Sequence, residues 1–468
     1  MNIASASGNR GGPAFCASGI RITVCGAIGH IVRNRSAFRI RMGIFIPWCS
    51  GSPGRRLARF RGWGKLDQFG EPAMANNPST LFGKSRHQGV RVVVTGQVGV
   101  DKKQFLQEVE RIASARGKQV TLCNVGDMMY KEAPDIVQGR ILDLPRTRLN
   151  TLRRAVFKDI INLAERTENV IVNTHATFRW KHGLFEAFDF DHMTALDADL
   201  YVTLVDNVDA VHERLLREHD IVHTLKDIMV WREEEILATE ILAHAIGGHG
   251  KYYVLARGHA ASTAESLVRL MFEQQRKRIY PSFPMSHVMD MPDVLAEIDG
   301  FRDALAEHFI CFDPGDLDEK RLLFEAAEAT KRGEGKITLE VNGKMLDFSV
   351  PAVTDVAPDI DSQIYARDFK LIDQSDMIVS YVPELPGGIP GLSSGVEREL
   401  QHAFEGTKEV YVIWRPKKEP SPFITETATR VFPSVDDLFK HFQSKGYIGN
   451  YQLNLLRTGA PKERGRFG

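Results

Sequence analysis

The stretch GQVGVDKKQ, Gly96 to Gln104, decides how the first half of the chain is read. It nearly spells G-x-x-x-x-G-K-[ST], a loop whose backbone N–H groups cradle phosphates, whose Lys neutralises them and whose hydroxyl holds Mg²⁺. Gly96, Gly99 and Lys102 stand where that pattern allows them. The second conserved-type Gly is replaced by Asp101 and the hydroxyl by Lys103. An Asp sets a carboxylate beside any bound phosphate, and its Cβ crowds a place where Gly lets the backbone approach closely. At an effective dielectric of about 20, two like unit charges ~4 Å apart repel by roughly 4 kcal/mol, on the order of a thousandfold in affinity. Lys103, as an ammonium, has no lone pair to offer a metal ion.

Around this loop the pattern alternates. VRVVVTG (Val90–Gly96) is a short apolar run suited to a buried parallel strand. QFLQEVERIASARG follows, with Phe105, Leu106, Val109 and Ile112 on one helical face and Gly117 as its stop. QVTLCNVGD, NVIVNTHA and DLYVTLVDN read as further strands, and LNTLRRAVFKDIINLAERT and DAVHERLLRE as helices. Strands and helices alternating at this spacing indicate βαβ units and a parallel sheet covered on both faces. His244, His249 and His259 recur without an acidic partner pattern, so no metal site is expected there.

From Arg276 a second α/β pattern begins. KRIYPSFPMSHV is a strand end and turn, MPDVLAEIDGFRDALAEHF a helix and FICFDP a strand. KITLEVNGKMLDFSV alternates apolar and polar residues about Asn342-Gly343, a strong hairpin signal. Met377–Val382 is a strand preceded by a helix, and KEVYVIW (Lys408–Trp414) another. PGGIPGLSSG joins the first of these to the helix VERELQHAFEG. The fold class is therefore α/β throughout: a phosphate-loop parallel-sheet domain over 89–275, then a flavodoxin- or Rossmann-like domain over 276–450. The hairpin region (about 333–362) is an insertion in the second domain, and 451–468 reads as a tail.

At 468 residues two domains are the default, since single cores stop growing well below that length. The composition, 43% hydrophobic and 26% charged, is that of an ordinary soluble protein, and no run of eighteen apolar residues spans a membrane. A net charge of zero hides an asymmetry: residues 1–73 carry ten Arg, one Lys and two acids, which leaves the remainder at −9. That body offers no basic footprint for nucleic acid. Three of the five Cys (Cys16, Cys25, Cys49) lie in the same leader; Cys123 and Cys311 are too few for a disulfide framework, and a reducing cytoplasm fits. The Arg-, Ser- and Gly-rich leader reads as an upstream region translated in error, with Met74 as the start. An organelle transit peptide or basic tail and a folded element are the alternatives.

The first domain resembles the archaeal-type adenylate kinase branch of P-loop nucleoside monophosphate kinases. The resemblance spans about 185 residues and rests on the Gly96–Lys102 loop, the NTHA strand end, DNVDAVHERLLRE and REEEILATEILAHAIGG. It implies a site for a nucleotide such as ATP with Mg²⁺, with the loop and helix N-terminus on the phosphates. Asn173 stands where the resemblance implies an acid, so with Asp101 and Lys103 three changes strike the Mg²⁺-triphosphate. The expectation is a kinase fold kept as scaffold or nucleotide sensor. Binding of nucleotide without Mg²⁺, or a phosphotransferase using Lys102, Lys103 and Arg214 or Arg217, are the alternatives.

The second domain resembles nucleoside 2-deoxyribosyltransferases, and more closely the 2′-deoxynucleoside 5′-monophosphate N-hydrolases, through SSGVEREL, QSDMIV and IYPSFP in family order. The resemblance spans roughly 170 residues. It implies Glu399, rather than its neighbour Glu397, as the nucleophilic carboxylate, with Asp376 and Tyr280 completing the catalytic set. Ser282, Ser393, Ser394 and Gly395 are implied to receive the substrate phosphate. Ser393 replaces the Asp of the transferases, and Glu397 and Arg398 depart from the small or aromatic residues usual there. Cleaving an N-glycosidic bond develops oxocarbenium character at C1′, which a carboxylate can attack or stabilise while a second acid assists the leaving base. Neither metal nor cofactor is needed for that step. A nucleoside monophosphate or related nucleotide is the implied partner, and a homodimer or larger homo-oligomer the implied assembly. Arg367, in ARDFKLID, reads as an ion-pair partner rather than a phosphate ligand.

Overall fold

A computed structural model describes residues 87–449, apart from 181–182, 220–222, 259–260 and 286–287. The Arg-rich leader, its Met74 and the C-terminal tail lie outside the described residues. The first lobe runs β1 (Arg91–Thr95), α1 (Lys102–Ala115), β2 (Thr121–Asn124), α2 (Val125–Glu132), α3 (Arg146–Ala164), β3 (Val170–Asn173), β4 (Thr177–Trp180) and β5 (Gly183–Glu186). It continues through α4 (Phe190–Leu196), β6 (Leu200–Val205), α5 (Val208–His219), α6 (Leu225–Gly247), β7 (Tyr252–Ala256) and α7 (Ala261–Phe272).

The strands of its main sheet lie side by side as β2-β3-β1-β6-β7, all parallel. β1, buried along its whole length, reads as a continuous apolar run because both faces are covered. Phe105, Leu106, Val109 and Ile112 are the buried stripe of α1, as their spacing predicts. β7, the edge strand in KYYVLA, adds a member that the pattern of strands in the sequence did not single out.

The second lobe runs β8 (Arg278–Ser282), α8 (Pro292–His308), β9 (Ile310–Cys311), α9 (Lys320–Lys331), β10 (Lys336–Val341), β11 (Lys344–Ser349), α10 (Val350–Asp373) and β12 (Met377–Val382). After it come β13 (Glu384–Leu385), β14 (Ile389–Pro390), α11 (Ser394–Glu405), β15 (Glu409–Trp414), α12 (Pro422–Thr425), β16 (Arg430–Phe432) and α13 (Val435–Ser444). Its sheet is ordered β16-β15-β12-β8-β9, again all parallel. Read in chain order this is 2-1-3-4-5, the flavodoxin-like arrangement, whose strand order reverses between β8 and β12. Ligands of such sheets sit at that reversal, outside the carboxyl ends of the strands.

The Asn342-Gly343 turn has φ of 51° and 75°, the left-handed pair a tight two-residue hairpin requires. The hairpin docks on the first lobe. Asn342 Nδ2 donates to the Ala210 carbonyl (3.3 Å) and Glu213 (3.1 Å), and Lys344 pairs with Glu213 at 3.0 Å. Gln374, just beyond α10, bonds both the N–H and the C=O of Val254 on β7 (2.9 and 2.8 Å). That covers part of a sheet edge whose backbone would otherwise be an open template.

Candidate functional site

Two clusters occupy the carboxyl ends of the two sheets. In the first lobe the loop after β1 carries the sequence deviations noted above. Gly96 has φ of 144°, and a Cβ there would meet the Leu204 carbonyl oxygen at 2.5 Å, so only Gly fits. Gly99 packs on Val211 and Leu215 with φ of 88°. Asp101 takes the left-handed conformation (φ 58°, ψ 50°), which Asp tolerates better than most residues. Its carboxylate does not stand alone: Arg257 Nη2 reaches it at 3.0 Å, and it caps α1 by accepting from the Gln104 N–H. The unshielded carboxylate expected at this place is thus corrected to an ion-paired one, which weakens its repulsion of an anion.

The remaining groups of the loop also have partners. Lys102 Nζ donates to the Gly96 carbonyl at 2.5 Å and lies 3.3 Å from His175 Nδ1. Burial pushes its ammonium down to about 8, against the pull of Glu235 and Asp101. Glu235, wholly buried on α6, accepts from the N–H groups of Gly96, Ala176 and Thr177 and from the Thr177 hydroxyl, at 2.7 to 2.9 Å. Lys103 turns to solvent and pairs with Asp127 at 2.7 Å, and Asn173 bonds Asn124 at 2.8 Å. An ammonium and an amide therefore occupy the places where Mg²⁺ needs a hydroxyl and a carboxylate. These residues do not fit Mg²⁺. Arg214 is tied to Asp206 at 2.7 Å and Arg217 to Glu213 at 2.8 Å.

The second cluster sits at the strand reversal between β8 and β12. Tyr280 and Ser282 alternate to the same face of β8, and both are completely buried. Glu399, one and a half turns into α11, is brought over them. Its carboxylate accepts from the Tyr280 hydroxyl at 3.0 Å and the Ser282 hydroxyl at 2.6 Å. Glu399 as a whole is half-buried, and its carboxylate is held between the two hydroxyls. Burial pushes it up to about 8; the Ser282 and Tyr280 donors oppose this, and the nearby Asp368 charge adds to it.

Asp368 is the residue that the sequence reading missed. It lies on α10, 7% exposed, and its Oδ1 has no hydrogen-bond partner; Arg367 Nε is 3.6 Å away. Burial pushes it up to about 6, with Arg367 opposing. The signal was present in ARDFKLID, where an acid sits on the buried stripe with Leu371 and Ile372. An acid on an apolar stripe is uncommon unless paired or functional.

Two earlier assignments change. Asp376 precedes β12 at the amino end of the sheet, opposite to the ligand edge. Arg278 grips it through a two-pronged ion pair and a backbone N–H at 2.8 Å, which outweigh burial and hold its carboxyl below the usual range. It does not join Glu399. Ser282 is fully buried with its proton committed to Glu399, so it orients the carboxylate instead of receiving a phosphate. Ser393 is the N-cap of α11, its hydroxyl oxygen accepting from the Val396 N–H at 3.2 Å, and Ser394 and Gly395 are exposed in the first turn. That helix start favours an anion through its open N–H groups and macrodipole. Arg367 is an ion-pair partner, bonded to Glu319 at 3.4 Å.

Comparisons with known proteins bear on the first lobe. A family model described as an AAA domain matches residues 95–231. The adenylate kinase of Pyrococcus abyssi (strain GE5 / Orsay) is 29% identical over 132 residues, covering 27% of this chain and 65% of that protein. The chain thus spans about 65% of the length of this curated relative. A shikimate kinase from Bacteroides thetaiotaomicron is 16% identical, covering 40% of this chain and 97% of its own, with a TM-score of 0.24. A gluconokinase from Sinorhizobium meliloti 1021 is 16% identical, with 40% and 99% covered and a TM-score of 0.24. The first lobe resembles the P-loop nucleoside monophosphate kinases, and among the described residues no helix is long and apolar enough to cross a membrane.

Proposed function

We propose that the second lobe cleaves the N-glycosidic bond of a nucleoside 5′-monophosphate or its deoxy form, with Glu399 and Asp368 as the reacting pair. The observation that carries this reading is the Glu399 carboxylate held by Tyr280 and Ser282 within the electrostatic reach of a buried, incompletely bonded Asp368. Two carboxyls pushed to about 8 and about 6 hold one proton between those values, mostly on Glu399, and the reacting form is the minority one with Glu399 ionised and the proton on Asp368. One ionised and one protonated carboxyl is the state that glycosidic cleavage requires.

The ionised Glu399 attacks C1′ and forms an ester bond. The C1′–N bond breaks, its electron pair leaves with the base, and Asp368 gives that base a proton. Water then attacks C1′, its proton passes to Asp368, and the ester opens to regenerate the Glu399 carboxylate and release the sugar phosphate. Capture by the nitrogen of a second base instead of water would make the same site a deoxyribosyltransferase. The phosphate would lie at the start of α11, near Ser393, Ser394 and Gly395. A second copy of the chain completing the pocket belongs to the same reading.

The test is incubation of residues 74–468 with each nucleoside 5′-monophosphate and its deoxy form, with free base read by chromatography. Base released by the parent and not by Glu399→Gln supports the reading. No base from any of them, with the protein folded, overturns it.

For the first lobe we infer nucleotide binding without phosphoryl transfer, a sensor or scaffold role. The loop glycines and Lys102 support an anion site, while Lys103, paired with Asp127, has no lone pair to give Mg²⁺ and Asn173, bonded to Asn124, brings no charge. A nucleotide bound equally well with and without Mg²⁺ is the expected result of calorimetry. ATP-dependent phosphorylation of a nucleoside monophosphate would restore the kinase alternative.

A further inference from the structure

Between the two lobes runs a buried chain of charges that neither site explains. Arg232, on α6 of the first lobe, grips Glu319 of the second with both terminal nitrogens, at 2.6 and 3.2 Å. Its Nη1 also donates to the Asp206 carbonyl, at 3.2 Å, and Gln363 on α10 accepts from Nε, also at 3.2 Å. Glu319 is held further by the Val208 N–H at 3.2 Å and, from the opposite side, by Arg367 Nη1 at 3.4 Å. Arg367 then faces Asp368, with its Nε 3.6 Å from Oδ1 and without a hydrogen-bond partner. The side chains of Arg232, Glu319 and Arg367 are no more than 10% exposed.

We propose that the first lobe positions the acid of the second: Arg232 fixes Glu319, Glu319 fixes the Arg367 guanidinium, and Arg367 fixes the Asp368 carboxyl. The inference rests on the reading of Asp368 as the acid partner of Glu399. It goes beyond that reading, because it gives the kinase-like lobe a part in the chemistry of its neighbour. The three are positioning residues, since each acts through another and only Asp368 stands at the site.

Glu319 and Asp368 compete for one guanidinium. Arg367 lies between two carboxylates and bonds neither well, at 3.4 Å to Glu319 and 3.6 Å to Asp368. How much of its charge Asp368 receives depends on how fully Arg232 satisfies Glu319. The other groups coupled to Asp368 are Lys320 from α9, which favours its ionised form, and Glu399 from α11 and Tyr280 from β8, whose ionisation its charge opposes. Neither Glu399 nor Tyr280 lies on the chain from Arg232. Weakening Arg232 therefore draws Arg367 toward Glu319 and leaves Asp368 harder to ionise. Removing the Glu319 charge releases Arg367 to Asp368 and makes it easier to ionise. The two changes have opposite signs, which general loosening of the fold would not produce.

The experiment labels aspartate side-chain carboxyls of the full chain with ¹³C and follows Asp368 by NMR titration, its signal assigned with Asp368→Asn. Arg232→Met should raise the Asp368 midpoint by about one pH unit, a typical size for loss of a nearby opposite charge. The double variant Arg232→Met/Glu319→Gln should lower it by a similar amount; it leaves no buried charge unpaired at that pair, so it keeps the test open should the single variant fail to fold. In an Arg367→Met background Arg232→Met should add no further shift. The same midpoint in every folded variant overturns the proposal, and so does an equal Arg232→Met shift without Arg367, which would mean a direct field. Where wild type releases base, the acid limb of its rate profile should move with the midpoint while KM stays unchanged. Midpoints that shift as expected in a protein that cleaves no nucleotide would uphold the positioning chain and reject the glycosidase reading alone.

Discussion

The loop after β1 and the cluster after β8 occupy equivalent places, each at the ligand edge of a parallel sheet, yet their polar groups are in opposite conditions. In the first, the charges that would meet a Mg²⁺-nucleotide are paired with each other: Asp101 with Arg257, Lys103 with Asp127, Lys102 with the loop's own carbonyl. In the second, Glu399 is pushed up by burial and Asp368 keeps an unbonded oxygen. Pairing stabilises a structure and leaves little to give to a reactant. An enclosed carboxyl with spare bonding capacity costs stability and is ready to react.

The largest expected effects test the reactive side. Glu399→Gln should lower kcat/KM for base release by about a thousandfold or more, and Asp368→Asn by 10²–10⁴-fold, the range of general-acid contributions. Initial rates by chromatography measure both. Loss confined to Glu399→Gln would break the pairing and leave Asp368 a buried structural acid. The same carboxyl also marks stability. The folded state holds the Glu399 proton up to about 8, well above the value of an exposed Glu, so it binds more protons than the unfolded chain between those pH values. Stability is therefore fully present at low pH and falls as pH rises toward 8. In Glu399→Gln that part of the fall should vanish, by a few kcal/mol at most, as denaturant midpoints at pH 5 and pH 8 would show.

A middle-sized effect probes the paired side. Asp101→Gly removes a carboxylate, frees Arg257 and relieves a left-handed Asp, so a nucleotide triphosphate without metal should bind about tenfold tighter by calorimetry. That estimate is well below the thousandfold read from an unshielded charge, because Arg257 already offsets most of it. An unchanged affinity would show that the loop takes no phosphate at all.

How far the sequence carried this comparison differs between fold and site. The sheets were legible because buried parallel strands such as Arg91–Thr95 and Met377–Val382 leave continuous apolar runs, and because Asn342-Gly343 needs a backbone few other pairs adopt. Glu399 and Tyr280 were legible as residue types in a motif. Asp376 was misread because local pattern does not say which end of a strand faces the ligand, and Asp368 was missed because a helix stripe does not say what it packs against. Asp376 immediately precedes β12, and only the register with Arg278 shows it to be at the far edge. Asp368 belongs to the site through tertiary packing of α10, and so does the pairing of Asp101 with Arg257 across 156 positions. The acid on the α10 stripe was readable by its spacing, but the partners of Asp376, Asp368 and Asp101 have no period or spacing to read.

The smallest effect sharpens the comparison within the reactive cluster. Tyr280 donates to Glu399 at 3.0 Å and thereby favours its ionised form, against burial. In Tyr280→Phe the ring still fills the wholly buried space while the donor is lost, so packing is nearly preserved. The Glu399 carboxyl then becomes harder to ionise, and the midpoint between the protonated and ionised forms moves above about 8. Losing a hydrogen bond that favours the ionised form by about 1 kcal/mol corresponds to roughly 0.7 of a pH unit. The rate below the midpoint depends on the small ionised fraction of Glu399 and should fall about fivefold, while the alkaline limb shifts upward by the same 0.7 unit. Ser282→Ala should act in the same direction, since its 2.6 Å bond opposes burial in the same way. A fall in rate with no displacement of the limb would mean that Tyr280 touches the substrate itself, and the hydroxyl would then belong to the reacting groups instead of to the support of Glu399.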